Sequence, residues 1–337
     1  MNPTAALSEK LLICAINQQA SDIHFYPFPQ KTKIYFRILG KRILYDSIET
    51  TQYDLLLTYY KFTSGMDIGE IRKPQDGSIT HHFGTKKIAL RLSTLPVNQT
   101  ESLAIRILPQ EENLPIERLF LFPDQLTVLK QWITNPAGLI LLTGPTGSGK
   151  TTTLYALLQS LLKESSFQTI TLEDPIEKKL NDILQVQVNE RAGITYQSGL
   201  KAALRHDPDI IMVGEIRDQH TAEFAFDASL TGHLVLSTLH AKNTLGTIHR
   251  LLEMGLNKTD LAQSLIGIAS IQLLPIITNH HSIPRRAAIL ELLDEDLIQA
   301  TLRGDDTVAH HHRHSFYRLR KKAYAYGFIT EETFKKY

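Results

Sequence analysis

The residues with the most legible chemistry are the eight of GPTGSGKT, Gly144 to Thr151. Glycines at 144, 147 and 149 let a backbone curl so that successive N–H groups converge on phosphate oxygens, aided by the amino-terminal end of a following helix. Lys150 then reaches the β- and γ-phosphates, and the Thr151 hydroxyl suits magnesium. An apolar strand, GLILLT, precedes the loop and a helical stretch, TTTLYALLQSLLK, follows it. That context makes an accidental glycine turn a poor explanation and a triphosphate cradle a good one. Pro145, Thr146, Ser148 and Thr152 complete the candidate binding segment.

Two further apolar stretches end in acids. TITL, 169 to 172, runs into Glu173-Asp174-Pro175, and IIMV, 210 to 213, runs into Gly214-Glu215. Attack on a γ-phosphate needs a positioned water, magnesium and positive charge over the equatorial oxygens. Glu215 is the candidate to orient or deprotonate that water, and Glu173 and Asp174 offer a second acidic position. At 214, where a nucleotide hydrolase commonly presents an aspartate to magnesium, the chain has glycine; the missing carboxylate is expected from the other strand end. His233 and His240 bracket LVLSTL. A histidine in such a place is often structural, but His240, at the carboxyl end, is the one placed to sense a γ-phosphate. NKTD at 257 to 260 has the letters of a guanine-reading signature without its context, and Asn257 reads better as a helix start.

These residues require a scaffold that gathers strand ends. From Gly138 onward short apolar strands alternate with helical stretches, the pattern of a parallel, doubly wound α/β sheet whose ligands sit at the carboxyl ends of strands. Beyond about Thr247 the pattern reads as helical, with SLIGIASIQLL and then AAILELLDEDLIQATL carrying broad apolar faces. The first hundred residues differ. KIYFRI alternates, Gly40-Lys41 can reverse the chain, and Asp76-Gly77 reads as a hairpin. IALRL places Ile88, Leu90 and Leu92 on one face and Arg91 on the other; LAIRI does the same with Leu103, Ile105, Ile107 and Arg106. Side by side, these strands bring two guanidinium groups onto one face, which periodicity alone reads as a solvated surface. The division is therefore an amino-terminal α+β domain over 1–108, a linker over 109–118 (PQEENLPIER) and an α/β domain over 119–337, helical from about 248.

Bulk properties narrow the classes. The 337 residues exceed a single ordinary core. With 42% hydrophobic and 21% charged residues the chain folds rather than remaining disordered. A net charge of +1 provides no global field toward nucleic acid or anionic lipid. One cysteine, Cys14, excludes a disulfide framework and a four-cysteine zinc site within the chain and suits a reducing cytosol. No apolar run reaches the ~18 residues of a membrane span, and no basic cluster precedes LLICAI as a secretory signal would require. HHHRH at 310–314 reads as a polar loop in preference to a metal site, and the basic run Arg313, Arg318, Arg320, Lys321 and Lys322 as a solvated helix face.

In order, GPTGSGKTTTLYALL, ITLEDPIE, LRHDPDIIMVGEIRD and TGHLVLSTLHA resemble the Walker A, Asp box, Walker B and His box of the secretion ATPase superfamily, the motors of type II secretion and type IV pili. ASDIHFYP, KPQDGSI and RLSTLP extend the likeness back to about Ala20, and it runs to about Gly255. The resemblance implies a RecA-like P-loop ATPase domain behind a smaller PAS-like α+β domain. It implies ATP and magnesium bound through Lys150 and Thr151, with Glu173 near the metal, Glu215 as catalytic glutamate and His240 near the γ-phosphate. Arg91 and Arg106 match arginines that swing over the nucleotide when the domains close, which reverses their bland reading. The family's partners are a homo-hexameric ring and an inner-membrane platform protein, through which the motor associates with the cytoplasmic face of the cell membrane and acts indirectly on pilins; no direct nucleic acid contact is expected. QVQVNERAGITYQSGLKAALRHDPD is similar to assembly rather than retraction motors, and a short chain without the zinc cysteines is most similar to the competence pilus ATPases of Gram-positive bacteria; no zinc is expected. His220 stands where the family usually has glutamate. The rival readings are a retraction or general secretion motor, a nucleic-acid-translocating ATPase, and a non-hydrolysing nucleotide switch.

Overall fold

The computed structural model describes residues 3–38, 40–83, 86–98, 100–109, 115–164, 166–277, 286–305 and 315–336. The chain divides into two units, Met1–Glu112 and Asn113–Tyr337. The short turn 116–118 begins the second of them, with Ile116 buried in its core. The expected linker's residues 110–114, and the histidine cluster 310–314, lie outside the described residues.

In the first unit α1 (Pro3–Asn17) leads into β1 (Asp22–Pro27), β2 (Lys31–Ile38) and β3 (Lys41–Glu49), followed by α2 (Thr50–Ser64), β4 (Gln75–Phe83), β5 (Lys86–Val97) and β6 (Thr100–Pro109). The six strands form one sheet in the order β3-β2-β1-β6-β5-β4, with every pairing antiparallel. Alternation decides which face is covered: Ile23, Phe25, Ile34, Phe36, Leu90, Leu92, Leu103 and Ile105 are buried with Leu11, Leu12 and Ala15 of α1 and Tyr53, Leu56 and Tyr60 of α2. At the β2–β3 reversal Gly40 takes the left-handed conformation, φ +79°. A buried ion pair, Lys61 Nζ to Glu101 Oε2 at 2.5 Å, ties α2 to β6, and Tyr53 Oη donates to the Glu101 carbonyl at 2.7 Å. Asp76-Gly77 does not turn. Both residues pair within β4 against Ser93 and Leu92, and the glycine is required because a Cβ there would lie 2.7 Å from the Ser64 side chain and 2.8 Å from its carbonyl.

The second unit is built on seven strands in the order β13-β12-β7-β11-β10-β8-β9. They are β7 (Gly138–Thr143), β8 (Thr169–Glu173), β9 (Leu184–Gln187), β10 (Ile210–Val213), β11 (Leu234–Leu239), β12 (Leu265–Pro275) and β13 (Arg286–Asp294). All pair in parallel except β12–β13. One face is covered by α3 (Pro123–Trp132) and α4 (Lys150–Glu164). The other is covered by α5 (Tyr196–Ala203), α6 (Gln219–Leu230), α7 (Thr244–Glu253), α8 (Lys258–Ser264) and α9 (Glu295–Leu302). Two further helices, α10 (Phe316–Ala325) and α11 (Glu331–Lys336), follow, and Leu319 and Ala323 of α10 pack with Leu274 and Ile289 of the last two strands. The α/β class, with a smaller α+β unit ahead of the doubly wound sheet, is the one the sequence implies.

The expectation of a helical tail is corrected over two segments. Residues 265–275 and 286–294 are strands, joined antiparallel from Gly267↔Asp294 to Pro275↔Arg286. A strand covered on both faces is a continuous apolar run, and period alone cannot separate that from a buried helix. Gly267 is decisive: a Cβ at that position would lie 2.6 Å from the Trp132 ring, so the backbone itself packs against α3. Helix resumes at Glu295, where the Asp294 side chain accepts from Leu297 N.

Candidate active site

The chemistry gathers at the carboxyl ends of β7, β8, β10 and β11. β7 is buried throughout and runs into Gly144, whose φ of +144° is followed by +79° at Gly147 and +96° at Gly149. At Gly144 the requirement is also one of space, since a Cβ would lie 2.7 Å from Ser148 Oγ and 2.8 Å from the Ile271 carbonyl. The loop delivers Lys150 to the first turn of α4, with Thr151 half-buried and Thr152, Pro145 and Thr146 exposed. Lys150 Nζ folds back onto the loop, donating to the Gly144 and Pro145 carbonyls at 2.9 and 3.1 Å.

The same ammonium lies 3.3 Å from His240 Nδ1. It has only protons to give, so Nδ1 accepts, and the imidazole hydrogen sits on Nε2. Nε2 is 3.0 Å from Glu215 Oε1, to which it donates. Lys150, His240 and Glu215 therefore form one chain of contacts from the phosphate loop to the end of β10. Burial pushes the Lys150 ammonium below its ordinary range, and the negative charge of Glu215 partly restores it.

Glu215 is fixed from below and from the side. Ser237 Oγ and Thr238 Oγ1 donate to the Val213 and Gly214 carbonyls, each at 2.7 Å, and Gly214 N donates to the Leu172 carbonyl at 2.8 Å. Glycine is favoured at 214 because its backbone passes close to β8. A Cβ would lie 3.1 Å from the Leu172 carbonyl and 3.3 Å from Tyr196 Oη, so an aspartate at the strand end is disfavoured by space. The Tyr196 hydroxyl is pushed up to about 12, first by burial and then by the charge of Asp174. Arg217 spans the two strand ends, donating from Nε to Glu215 Oε2 at 2.9 Å and from Nη1 to Asp174 Oδ2 at 3.1 Å.

Glu173 is turned inward. Its Oε1 accepts from Thr171 Oγ1 at 2.6 Å and Gln185 Nε2 at 3.0 Å, and its Oε2 accepts from the Tyr155 hydroxyl. The structure brings Lys150, His240 and Glu215 into contact, with Asp174 joined through Arg217; Glu173 belongs to a separate buried network. Arg217, Tyr155 and Gln185 were not identified from sequence. Arg217 had a signal, being a cation two residues beyond Glu215, whereas the other two sit inside ordinary helix and strand patterns.

The remaining motifs have structural employment. His233, at the amino end of β11, places Nδ1 3.2 Å from the Ala228 carbonyl. Asn257 caps α8 by accepting from Asp260 N at 2.9 Å. In the basic run, Arg320 donates to Gln272 Oε1 at 3.1 Å and Lys322 Nζ lies 4.5 Å over the Phe122 ring, so only part of that helix face is free to be solvated. His220 is exposed on α6, 3.9 Å from Glu223. Arg91 and Arg106 belong to the first unit, where they are direct cross-strand partners on β5 and β6.

The residues fit a magnesium triphosphate. Left-handed glycines leave the cradle unfilled, and among the described residues the buried Ser148 hydroxyl has no partner and the Lys150 donors are held by loop carbonyls and an imidazole that phosphate oxygens can replace. Among the described helices none is long and apolar enough to cross a membrane.

Comparison with known proteins yields a match of residues 1–333 to the family described as "Type II/IV secretion system protein". Competence protein ComGA of Bacillus subtilis is 40% identical over 350 residues, covering 100% of this chain and 98% of that protein. Type II secretion system protein E of Pseudomonas aeruginosa is 40% identical over 288 residues, 85% of this chain and 57% of that protein. Among solved structures, the pilus retraction motor PilT with bound ADP superposes with a TM-score of 0.77 at 29% identity, over 97% of this chain and 95% of that one.

Proposed function

The chain belongs to the type II/IV secretion system protein family and is an ATPase, and on that premise we propose that it is the motor for assembly of a competence pilus used in DNA uptake. The observation that carries the reading is the contact chain Lys150–His240–Glu215, which connects the phosphate loop to a carboxylate at a neighbouring strand end.

Residues Gly144 to Thr152 hold ATP, with Lys150 on the β- and γ-phosphates. Thr151 and Glu173 are the residues that would hold magnesium, which neutralises charge developing on the phosphate oxygens. For Glu173 this role requires it to leave its bonds to Thr171 and Gln185. Arrival of the triphosphate draws Lys150 from the loop carbonyls and from His240 Nδ1; the imidazole passes that change to Glu215, which then orients the attacking water. Arg91 and Arg106 add positive charge over the equatorial oxygens when an amino-terminal unit closes on the nucleotide, so turnover follows domain closure and closure performs the work. A homo-hexameric ring at the cytoplasmic face of the membrane delivers that movement to a membrane platform protein and through it to pilins.

Identity supports assembly over retraction: the competence protein is 40% identical over the whole chain, the retraction motor 29%. The test is complementation of a strain lacking the chain. The wild type is expected to restore surface pili and DNA uptake, and Lys150→Ala to restore neither. Pili that form without the chain but fail to withdraw would identify a retraction motor, and hydrolysis by a strict monomer would contradict the ring.

A further inference from the structure

The outer face of the first unit's sheet carries one row of charge that the strand registers assemble. Reading across β3, β2, β1, β6 and β5, direct cross-strand partners are Arg42, Arg37, Asp22, Arg106 and Arg91. Four arginines thus share a row with a single carboxylate, which Arg37 and Arg106 flank directly. They are not held alike. Arg42 is stacked, its guanidinium 4.5 Å over the Tyr35 ring and 5.1 Å over Tyr26. Arg37 donates from Nη1 to the Gly40 carbonyl at 3.2 Å, closing its own turn, and its Nε is 3.7 Å from Asp22 Oδ2. Arg91 keeps a buried Nη2 without a partner among the described residues.

Arg106 is held by its inner nitrogen alone, Nε to Asp22 Oδ1 at 2.9 Å. Both terminal amino groups have no protein partner among the described residues, on a side chain 59% exposed. This is the arrangement of a guanidinium aimed outward. The carboxylate holds the fork through Nε, and the two ends that match the spacing of phosphate oxygens stay available to a ligand. A carboxylate that merely neutralised Arg106 would be expected to take the fork bidentately. The anchor is itself anchored: the Asp22 side chain is 9% exposed, Ser21 Oγ donates to its Oδ2 at 2.8 Å, and Ser21 is tied to β2 and β6 through Arg37 O and Ile107 N at 2.8 and 2.9 Å.

We infer that Asp22 is the positioning residue for Arg106, holding its guanidinium with both terminal amino groups presented to the γ-phosphate of ATP. The inference rests on the reading above that Arg106 meets the nucleotide. Asp22 makes no contact with substrate in this account; it acts through Arg106 alone, so its contribution is to geometry at the transition state. Misplacement of a catalytic group by about 1 Å costs up to roughly 100-fold.

The experiment is a double-mutant cycle on steady-state ATP hydrolysis by the assembled full chain, with Asp22→Asn, Arg106→Ala and the double variant. Asparagine retains the shape and a hydrogen-bond acceptor but not the charge. Asp22→Asn is expected to lower kcat about 10- to 100-fold with KM within about three-fold of wild type, Arg106→Ala to lower it further, and the double variant to match Arg106→Ala. A structural role for Asp22 would instead multiply the two losses. Losses that multiply, or a wild-type kcat for Asp22→Asn beside an impaired Arg106→Ala, overturn the inference while leaving the role of Arg106 standing. Wild-type turnover in Arg106→Ala overturns both.

Discussion

The two sheets of this chain present chemistry in opposite ways. In the first unit all strands are antiparallel and one face is packed against α1 and α2, so the other face is the one open to ligands and residues two apart along a strand share it. In the second unit the strands are parallel but for β13, and β7, β10 and β11 are buried throughout. Only their ends are open, and Lys150, Glu215 and His240 all lie just past such ends. A face gathers residues by register, whereas an edge gathers them by strand order. The first kind of site is displaced by any slip in pairing, and the second by any change in how strand ends are strapped together.

The sharpest way to test the face is to remove its paired arginines. Arg91→Ala with Arg106→Ala is expected to reduce kcat by ~10³–10⁵ with nucleotide binding kept, measured as steady-state hydrolysis beside equilibrium binding of ATP. Loss of binding with unchanged kcat would make them ordinary anchoring groups. The next largest effect concerns what keeps that sheet in register. Lys61 and Glu101 are both almost wholly buried, 2% and 1% exposed, and removing one member strands the other's charge. Lys61→Met is expected to cost about 3–5 kcal/mol in unfolding, read from denaturant melts, and a loss below ~1 kcal/mol would show that the pair is dispensable.

For the edge, the informative change is Gly214→Asp, which installs the acid that nucleotide hydrolases commonly carry. Its side chain would press on the Leu172 carbonyl and Tyr196 Oη, and overpacking of this kind typically costs about 1–3 kcal/mol. Lowered thermal stability together with lowered turnover is expected; a variant as stable and active as wild type would show that space does not select glycine. The smallest effect is a pH dependence on the face. Burial opposes ionisation of Asp22, but hydrogen bonds from Arg106 and Ser21 and the charge of Arg106 outweigh it and hold the carboxyl below its usual range. A lowered folded-state pKa contributes stability above the unfolded value of about 3.9, and that contribution is lost as pH falls through the folded value. The melting temperatures of wild type and Asp22→Asn should therefore differ at neutral pH and converge below about pH 4. A gap that persists into acid would remove the electrostatic account.

Legibility in the sequence divides along the same line. The phosphate loop was plain because glycine, lysine and threonine at fixed spacing have one common use, and the alternation around Arg91 and Arg106 gave their shared face correctly. Asp22 was visible only as part of a motif, since its two arginines come from strands 15 and 84 positions away and register, not spacing, joins them. Period could not separate the buried strand at 265–275 from a helix, and the clue that mattered, Gly267 against Trp132, is a contact between distant segments. Gly77 misled for a similar reason: it serves a close approach to Ser64 rather than a turn. From the sequence His240 was placed near phosphate, but no contact with Lys150 or Glu215 was foreseen; both required the strand order β7-β11-β10 that sets His240 between the other two.

Glu215, aimed through His240 and Lys150, is proposed to act on the water and not on nucleotide binding. Single-turnover hydrolysis of ATP prebound to Glu215→Gln tests it most directly. Affinity is expected within about two-fold of wild type and the hydrolysis step slowed by ~10²–10⁴, whereas hydrolysis at the wild-type rate with bound nucleotide would show that Glu215 does not act on the water.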